Sequence, residues 1–322
     1  MRRLDDARPC AHITAMRKCF DILGRVSLLV FLFVVACREK RAETDKSSTV
    51  LLPPVFSLGP TANANWDPSA GAAMLVSLGD VGDLAAVVLP GVTDSSTDIA
   101  RTAPSGISEA VFDLYGRAGK IGSSTIRLVS TADTSGTCDG WPSAHLTSGH
   151  QGWQVALESG SARGIPLDSI EGLSSVDSAS LAASLTQSVA VLPVASDLTF
   201  RRLPFRVRYA YLAHLDSSEI VAADIVRALN EEANPRIEHI FLIGERERNS
   251  IGRYDVGYYN RTAGAEETTQ AIAVLAALEI GSSRRKVFVV NVESDKSARF
   301  GLIERAGYSE WHPTWWSANT GC

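Results

Sequence analysis

The residues best equipped for chemistry cluster near the C-terminus, in Trp311-His312-Pro313-Thr314-Trp315-Trp316. Successive side chains of an extended strand face opposite ways, so Trp311 and Trp315 are expected on one face and Trp316 on the other. A same-face aromatic pair can stack on a sugar ring, and the same rings suit the closing strand of a core. Carboxylates recur as Glu231-Glu232, Glu245 with Glu247, and Glu266-Glu267. Acid–base work on a glycosidic bond needs two carboxyl groups facing each other across a cleft. Adjacent residues on a strand point apart, so only Glu245 and Glu247 share a face, with Arg246 and Arg248 opposite; these read as solvated edge charges. Cys138, Asp139, His145 and His150 crowd one loop, but their spacing fits no zinc pattern and no H-E-x-x-H is present. Asp216-Ser217-Ser218-Glu219 lacks the D-x-D-x-D-G core of a calcium loop.

Nucleophile and phosphate motifs fail on spacing. Gly160-Ser161-Ala162-Arg163-Gly164 places its serine one position early for a G-x-S-x-G elbow. Ser283-Arg284-Arg285-Lys286 fits S-x-x-K, but S-D-N and K-T-G do not follow and the segment reads as a turn. Gly119-Lys120 is followed by Ile121 where a phosphate loop needs Ser or Thr. Asn260-Arg261-Thr262 fits a glycosylation sequon. No catalytic set, metal or cofactor is expected.

The five cysteines give a sharper reading. Val26 to Ala36, VSLLVFLFVVA, is an uncharged apolar run of 11 residues. It is too short to span a bilayer, which takes about 20 residues, but it suits the apolar part of a secretory signal. Arg17, Lys18 and Arg25 stand before it. Val34-Val35-Ala36-Cys37 ends it, and this placement resembles the lipobox of bacterial lipoproteins. The resemblance covers the leader and Cys37 alone. It implies cleavage before Cys37, a diacylglycerol on its sulfur, and attachment to a membrane by two or more acyl chains, which hold where one does not. Arg38 rather than Asp follows the cysteine, which by the same resemblance favours an outer membrane in a Gram-negative cell. Translation from Met16 would give the leader a more typical length.

Cys10 and Cys19 are lost with the leader. Cys138 and Cys322 then remain in an oxidising compartment and are expected to pair. That bond would restrict the unfolded chain by about 5 kcal/mol in the loop-entropy model and pin the C-terminus.

Residues 1–36 are thus expected to be a signal peptide, 37–52 a lipidated cysteine and flexible tether, and 53–322 a β-rich globular domain with a sub-boundary near 196–204. From Arg38 on there are 25 basic and 33 acidic residues, a formal charge of −8. Such a chain without a basic cluster does not suit nucleic acid, whose phosphates need grouped cations. The longest basic run, Arg284-Arg285-Lys286, reads as a solvated turn.

The periodicity is that of strands. Ala72 to Leu78 and Leu84 to Leu89 flank a turn and predict a hairpin. Val111 to Tyr115 and Thr125 to Val129 flank Gly116 to Gly122 and predict another. Trp153 to Leu157, Phe205 to Tyr211, Ile237 to Ile243, Tyr254 to Tyr259, Lys286 to Val292 and Arg299 to Arg305 are further strands. Thr131 to Gly152 reads as a long surface loop. Ser178 to Leu192 is the clearest helix, capped by Asp177 and stopped by Pro193. Glu219 to Leu229 and Thr268 to Ile280 fit both periods and are read as strands. The expected class is mainly β (α+β), with antiparallel meander sheets and one or two helices packed against them.

The reading that follows is a membrane-tethered envelope lipoprotein acting as a non-enzymatic binding or structural module, with an envelope protein or glycan as partner. One alternative is a carbohydrate or peptidoglycan binder using Trp311, Trp315 and Trp316. The other is an envelope hydrolase with an unrecognised site. Exposed same-face tryptophans would favour the first alternative, and a deep pocket with converging Glu or His side chains the second.

Overall fold

The structure is a computed structural model that describes residues 66–79, 82–92, 106–130, 140–193, 198–215, 217–229, 234–294 and 297–321. The chain divides into two compact units between Val50 and Leu51, and every described residue belongs to the second. Cys37, Cys138 and Cys322, with the expected lipid site and disulfide, lie outside the described residues.

β1 (Met74–Ser77) and β2 (Leu84–Val88) form the expected hairpin. They belong to a seven-stranded antiparallel sheet with β3 (Phe112–Gly116), β4 (Gly119–Ser124), β5 (Ile126–Ser130), β6 (Ser143–Leu146) and β7 (Val155–Glu158). Its order is β4-β3-β7-β1-β2-β6-β5. The two end strands, β4 and β5, are consecutive in the chain, separated by Thr125 alone.

Two expectations are corrected in this sheet. The second hairpin turns through Arg117 and Ala118 only, and β3 pairs with β4 rather than with the strand after Thr125. The polar sequence of β4 hid it, because its ladder needs only backbone. The expected loop from Thr131 to Gly152 contains β6, which pairs with β2 and β5.

β8 (Ala162–Ile165) and β9 (Asp168–Ser169) leave this sheet and become the edges of two others. After them comes α1 (Ser175–Ala190). Its N-cap is Ser174, not Asp177: the Ser174 hydroxyl accepts the Asp177 amide at 3.2 Å and donates to the Asp177 carboxylate at 2.7 Å. Asp177 thus answers the cap from the first turn, where its charge also suits the helix dipole.

The outer sheet is β13-β12-β11-β10-β9, built from β10 (Arg206–His214), β11 (Ser218–Leu229), β12 (Arg236–Glu247) and β13 (Asp255–Ala265). The central sheet is β17-β16-β15-β14-β8, from β14 (Ala271–Ile280), β15 (Arg285–Ser294), β16 (Ser297–Gly307) and β17 (Glu310–Trp316), with β18 (Thr320–Gly321) pairing β16. Both ambiguous segments are strands, β11 and β14. β8 and β9 precede the expected sub-boundary yet complete sheets that follow it.

The layers explain why the patterns were ambiguous. One core lies between the seven-stranded sheet and the central sheet, a second between central and outer sheets, and a third between the outer sheet and Leu181, Leu185 and Val189 of α1. Central and outer sheets are therefore apolar on both faces, so their strands read as near-continuous hydrophobic runs.

Bulges switch faces within single strands. The register of β14 shifts between Val274 and Ala276. Ile272 and Val274 consequently enter the second core, while Ala276, Leu278 and Ile280 enter the first. An extra residue in one strand of a pair does this, because side chains alternate with period two.

Candidate functional site

β17 carries the sequence-predicted aromatic site, and its geometry differs from expectation. The register against β16 skips Thr314, pairing Ile303 with Pro313 and Leu302 with Trp315. The skipped residue reverses the alternation. Trp311 and Trp316 share the second core, and Trp315 lies in the first. Their exposures are 2%, 8% and 2%, so the ring faces a sugar would cover are already covered. Trp311 packs on Phe288 at 5.1 Å, and Trp315 meets Trp66 edge-on at 4.9 Å. The tryptophan strand closes the fold and offers no stacking platform.

The other expected groups are also separated or engaged. His145 lies on β6 with its Nδ1 3.4 Å from Asp83, while the His150 ring sits beneath Gly122. No group of three metal-ligating side chains gathers among the described residues. Glu247 is exposed, but Glu245 is fully buried and is no solvated edge charge. Asn260 of the sequon is 7% exposed. The Asp224 carboxylate meets His239 Nδ1 at 2.8 Å, but both groups are buried inside the outer sheet. Among the described residues no helix is long and apolar enough to cross a membrane.

A cleft of about 440 Å³ opens where the second core ends. Ala277, Phe288 and Ile303 point into that core from β14, β15 and β16. One further side-chain repeat along each strand, on the same face, stand Glu279, Lys286 and Arg305. The ladder lines them up. Arg163 on β8 pairs with Glu279, which pairs with Lys286. Val287 pairs with Glu304, which sets Lys286 beside Arg305 one step on. The apolar face of the central sheet thus ends in a row reading Arg163, Glu279, Lys286, Arg305. His214 and Ser217 of the β10–β11 turn line the opposing wall, and Arg284 reaches in from the β14–β15 turn.

Local structure fixes each of these groups. β8 is seated by Gly164, where a Cβ would stand 2.7 Å from the Lys120 amide of the seven-stranded sheet. Arg284 takes φ +51°, an unusual conformation for a side-chain-bearing residue, and so closes the four-residue turn from Gly281. Arg305 is clamped across the seam by Glu245 of the outer sheet, Nε to Oε2 at 3.0 Å and Nη2 to Oε1 at 2.7 Å. Ser309 donates its amide to the same carboxylate at 3.1 Å. Burial alone would raise the Glu245 pKa, but the hydrogen bonds from Arg305, Ser218 and the Ser309 amide outweigh it and hold the carboxyl below its ordinary range.

The charge balance then favours anions. Arg305 is answered by Glu245, and Lys286 is held only loosely by Glu279, at 4.0 Å. Arg163 and Arg284 line the cleft without a carboxylate within ion-pair distance among the described residues. Two guanidinium forks and an ammonium therefore face one opening, in a chain whose formal charge is −5. Such a site can bind an anionic group by paired N–H donors.

The sequence reading missed this cleft. Its members come from β8, β10, β11, β14, β15 and β16 and from the β10–β11 and β14–β15 turns. The one visible signal was Arg284-Arg285-Lys286, read as a solvated turn, and Arg284 is an exposed residue of the β14–β15 turn. In the fold the run divides: Arg285 turns to the opposite face, meeting Asp67 at 2.7 Å and Glu304, while its neighbours enter the cleft. Comparison with family models, curated proteins and solved structures finds no match to this chain.

Proposed function

We propose that this chain is an exported lipoprotein, cleaved before Cys37 and held to a membrane by lipid on that residue. Its β domain acts as a non-enzymatic binding module that receives an anionic group of an envelope partner at the seam cleft. The observation that carries the binding role is that Arg163 and Arg284, which have no carboxylate within ion-pair distance among the described residues, both line one opening of about 440 Å³. That volume lies in the range of ligand sites, roughly 300–1,000 Å³. The leader and Val34-Val35-Ala36-Cys37 support the membrane address, and a tether from Cys37 would let the domain search the surface near its anchor.

The test is site-directed photocrosslinking in intact bacterial membranes. A benzophenone side chain replaces either Pro166, an exposed residue lining the cleft, or Val176 on α1, which is 75% exposed. The expected result is adducts from position 166 and none from position 176. Equal labelling at the two positions would overturn the assignment of the cleft.

A further inference from the structure

We infer that the seam cleft is built for a phosphomonoester-type dianion, either a free phosphorylated compound or the head group of a lipid. This rests on the reading of the cleft as the binding site and goes on to name the chemistry of its ligand.

The cationic groups are graded by how far they are already neutralised. Arg305 is bound at both ends of its fork by Glu245, so it shapes the floor and contributes little free charge. Lys286 meets Glu279 only at 4.0 Å. Arg163 and Arg284 line the cleft with no carboxylate within ion-pair distance among the described residues. A monoanionic carboxylate has two oxygens and saturates one fork. A phosphomonoester has three free oxygens and close to two charges near neutral pH, enough acceptors for two guanidinium forks and an ammonium.

The arrangement also leaves room behind the anion. A cleft of about 440 Å³ exceeds an inorganic phosphate and admits an organic substituent. Ser217 and His214 line the opposing wall, the His214 ring nitrogens lying 3.4 Å from Asp168 and 3.9 Å from Glu219. The chain as a whole carries a formal charge of −5, so net charge does not draw an anion to it and the attraction rests on the cleft's own cations.

The experiment uses the full chain in neutral detergent, titrated calorimetrically. Glycerol 3-phosphate is the free phosphomonoester, dioctanoyl phosphatidic acid below its micellar concentration is the lipid one, and succinate is a dicarboxylate of equal charge. The comparison variant is Arg163→Gln with Arg284→Asn. Asparagine tolerates the positive φ at 284, and a thermal melt checks that the variant is folded. At least one phosphomonoester is expected to bind about tenfold more tightly than succinate, and to lose about tenfold in the variant, the equivalent of one charge-assisted hydrogen bond. Which of the two binds identifies the source. Succinate binding as tightly as either, and falling in the variant, would overturn the phosphate assignment and leave the cleft as the site. No binding by any probe, or binding that the variant leaves unchanged, would overturn both.

Discussion

Glu245 illustrates how this fold handles charge. It is buried at 0% exposure, and a lone ionised carboxylate there would be costly. Arg305, Ser218 and the Ser309 amide compensate, and the carboxyl stays ionised in the fold. Other buried charges follow the same rule: Glu238 takes Arg227 at 2.5 Å and Asp224 takes His239. Glu245→Gln keeps the shape and removes the charge. The Arg305 side chain is 24% exposed, so the expected loss is up to about 3 kcal/mol, the low end for a broken buried pair. The pH dependence has a definite sign. The folded carboxyl titrates below the unfolded one, which lies near 4.3 for a free glutamate. Its stabilisation is therefore complete above about pH 4.5 and is lost as pH falls through the folded value. Urea unfolding of wild type and Glu245→Gln should show a gap that is constant from pH 6 to 8 and shrinks below about pH 4.5. A gap that widens on acidification would contradict this assignment.

Among the elements, the bulged strands decide most of the architecture. Trp316 reaches the second core only because β16 offers no side chain at Gly301, where a Cβ would lie 2.2 Å from the indole ring. Gly301→Ala forces the ring or the strand to move, and overpacking of this kind costs about 1–3 kcal/mol. The expected outcome is a lowered urea midpoint with an altered near-ultraviolet tryptophan signal; an unchanged signal would mean that the ring is not packed there. This level also shows what was legible beforehand. Strand type could be read for β10 through β16, because length and β-branched content survive when a sheet is buried on both faces. The faces could not be read, since a single extra residue, Leu275 or Thr314, reverses every side chain beyond it. Trp311 and Trp315 were assigned to one face for that reason. The cleft was invisible for a related one: Arg163 and Arg305 are distant in sequence, and only the ladder through Glu279 and Lys286 joins them.

For the whole molecule, four layers share three cores, and the central sheet contributes to two of them. The cleft sits at the end of one inter-sheet core, so its walls belong to different sheets and are tied by the Glu245–Arg305 clamp. Under the proposed lipid anchor on Cys37 the domain would need no tight intrinsic affinity, because the anchor would raise the local concentration of whatever shares its membrane. That logic depends on the lipid. The most direct measurement is the intact mass of the protein extracted from the membranes of bacteria that express the full chain. The account requires a chain that begins at Cys37, carries a diacylglycerol on that residue, and is two hydrogens lighter than its thiol form through a Cys138–Cys322 bond. An unmodified Cys37, or a chain beginning at any other residue, would contradict the lipoprotein reading at its root.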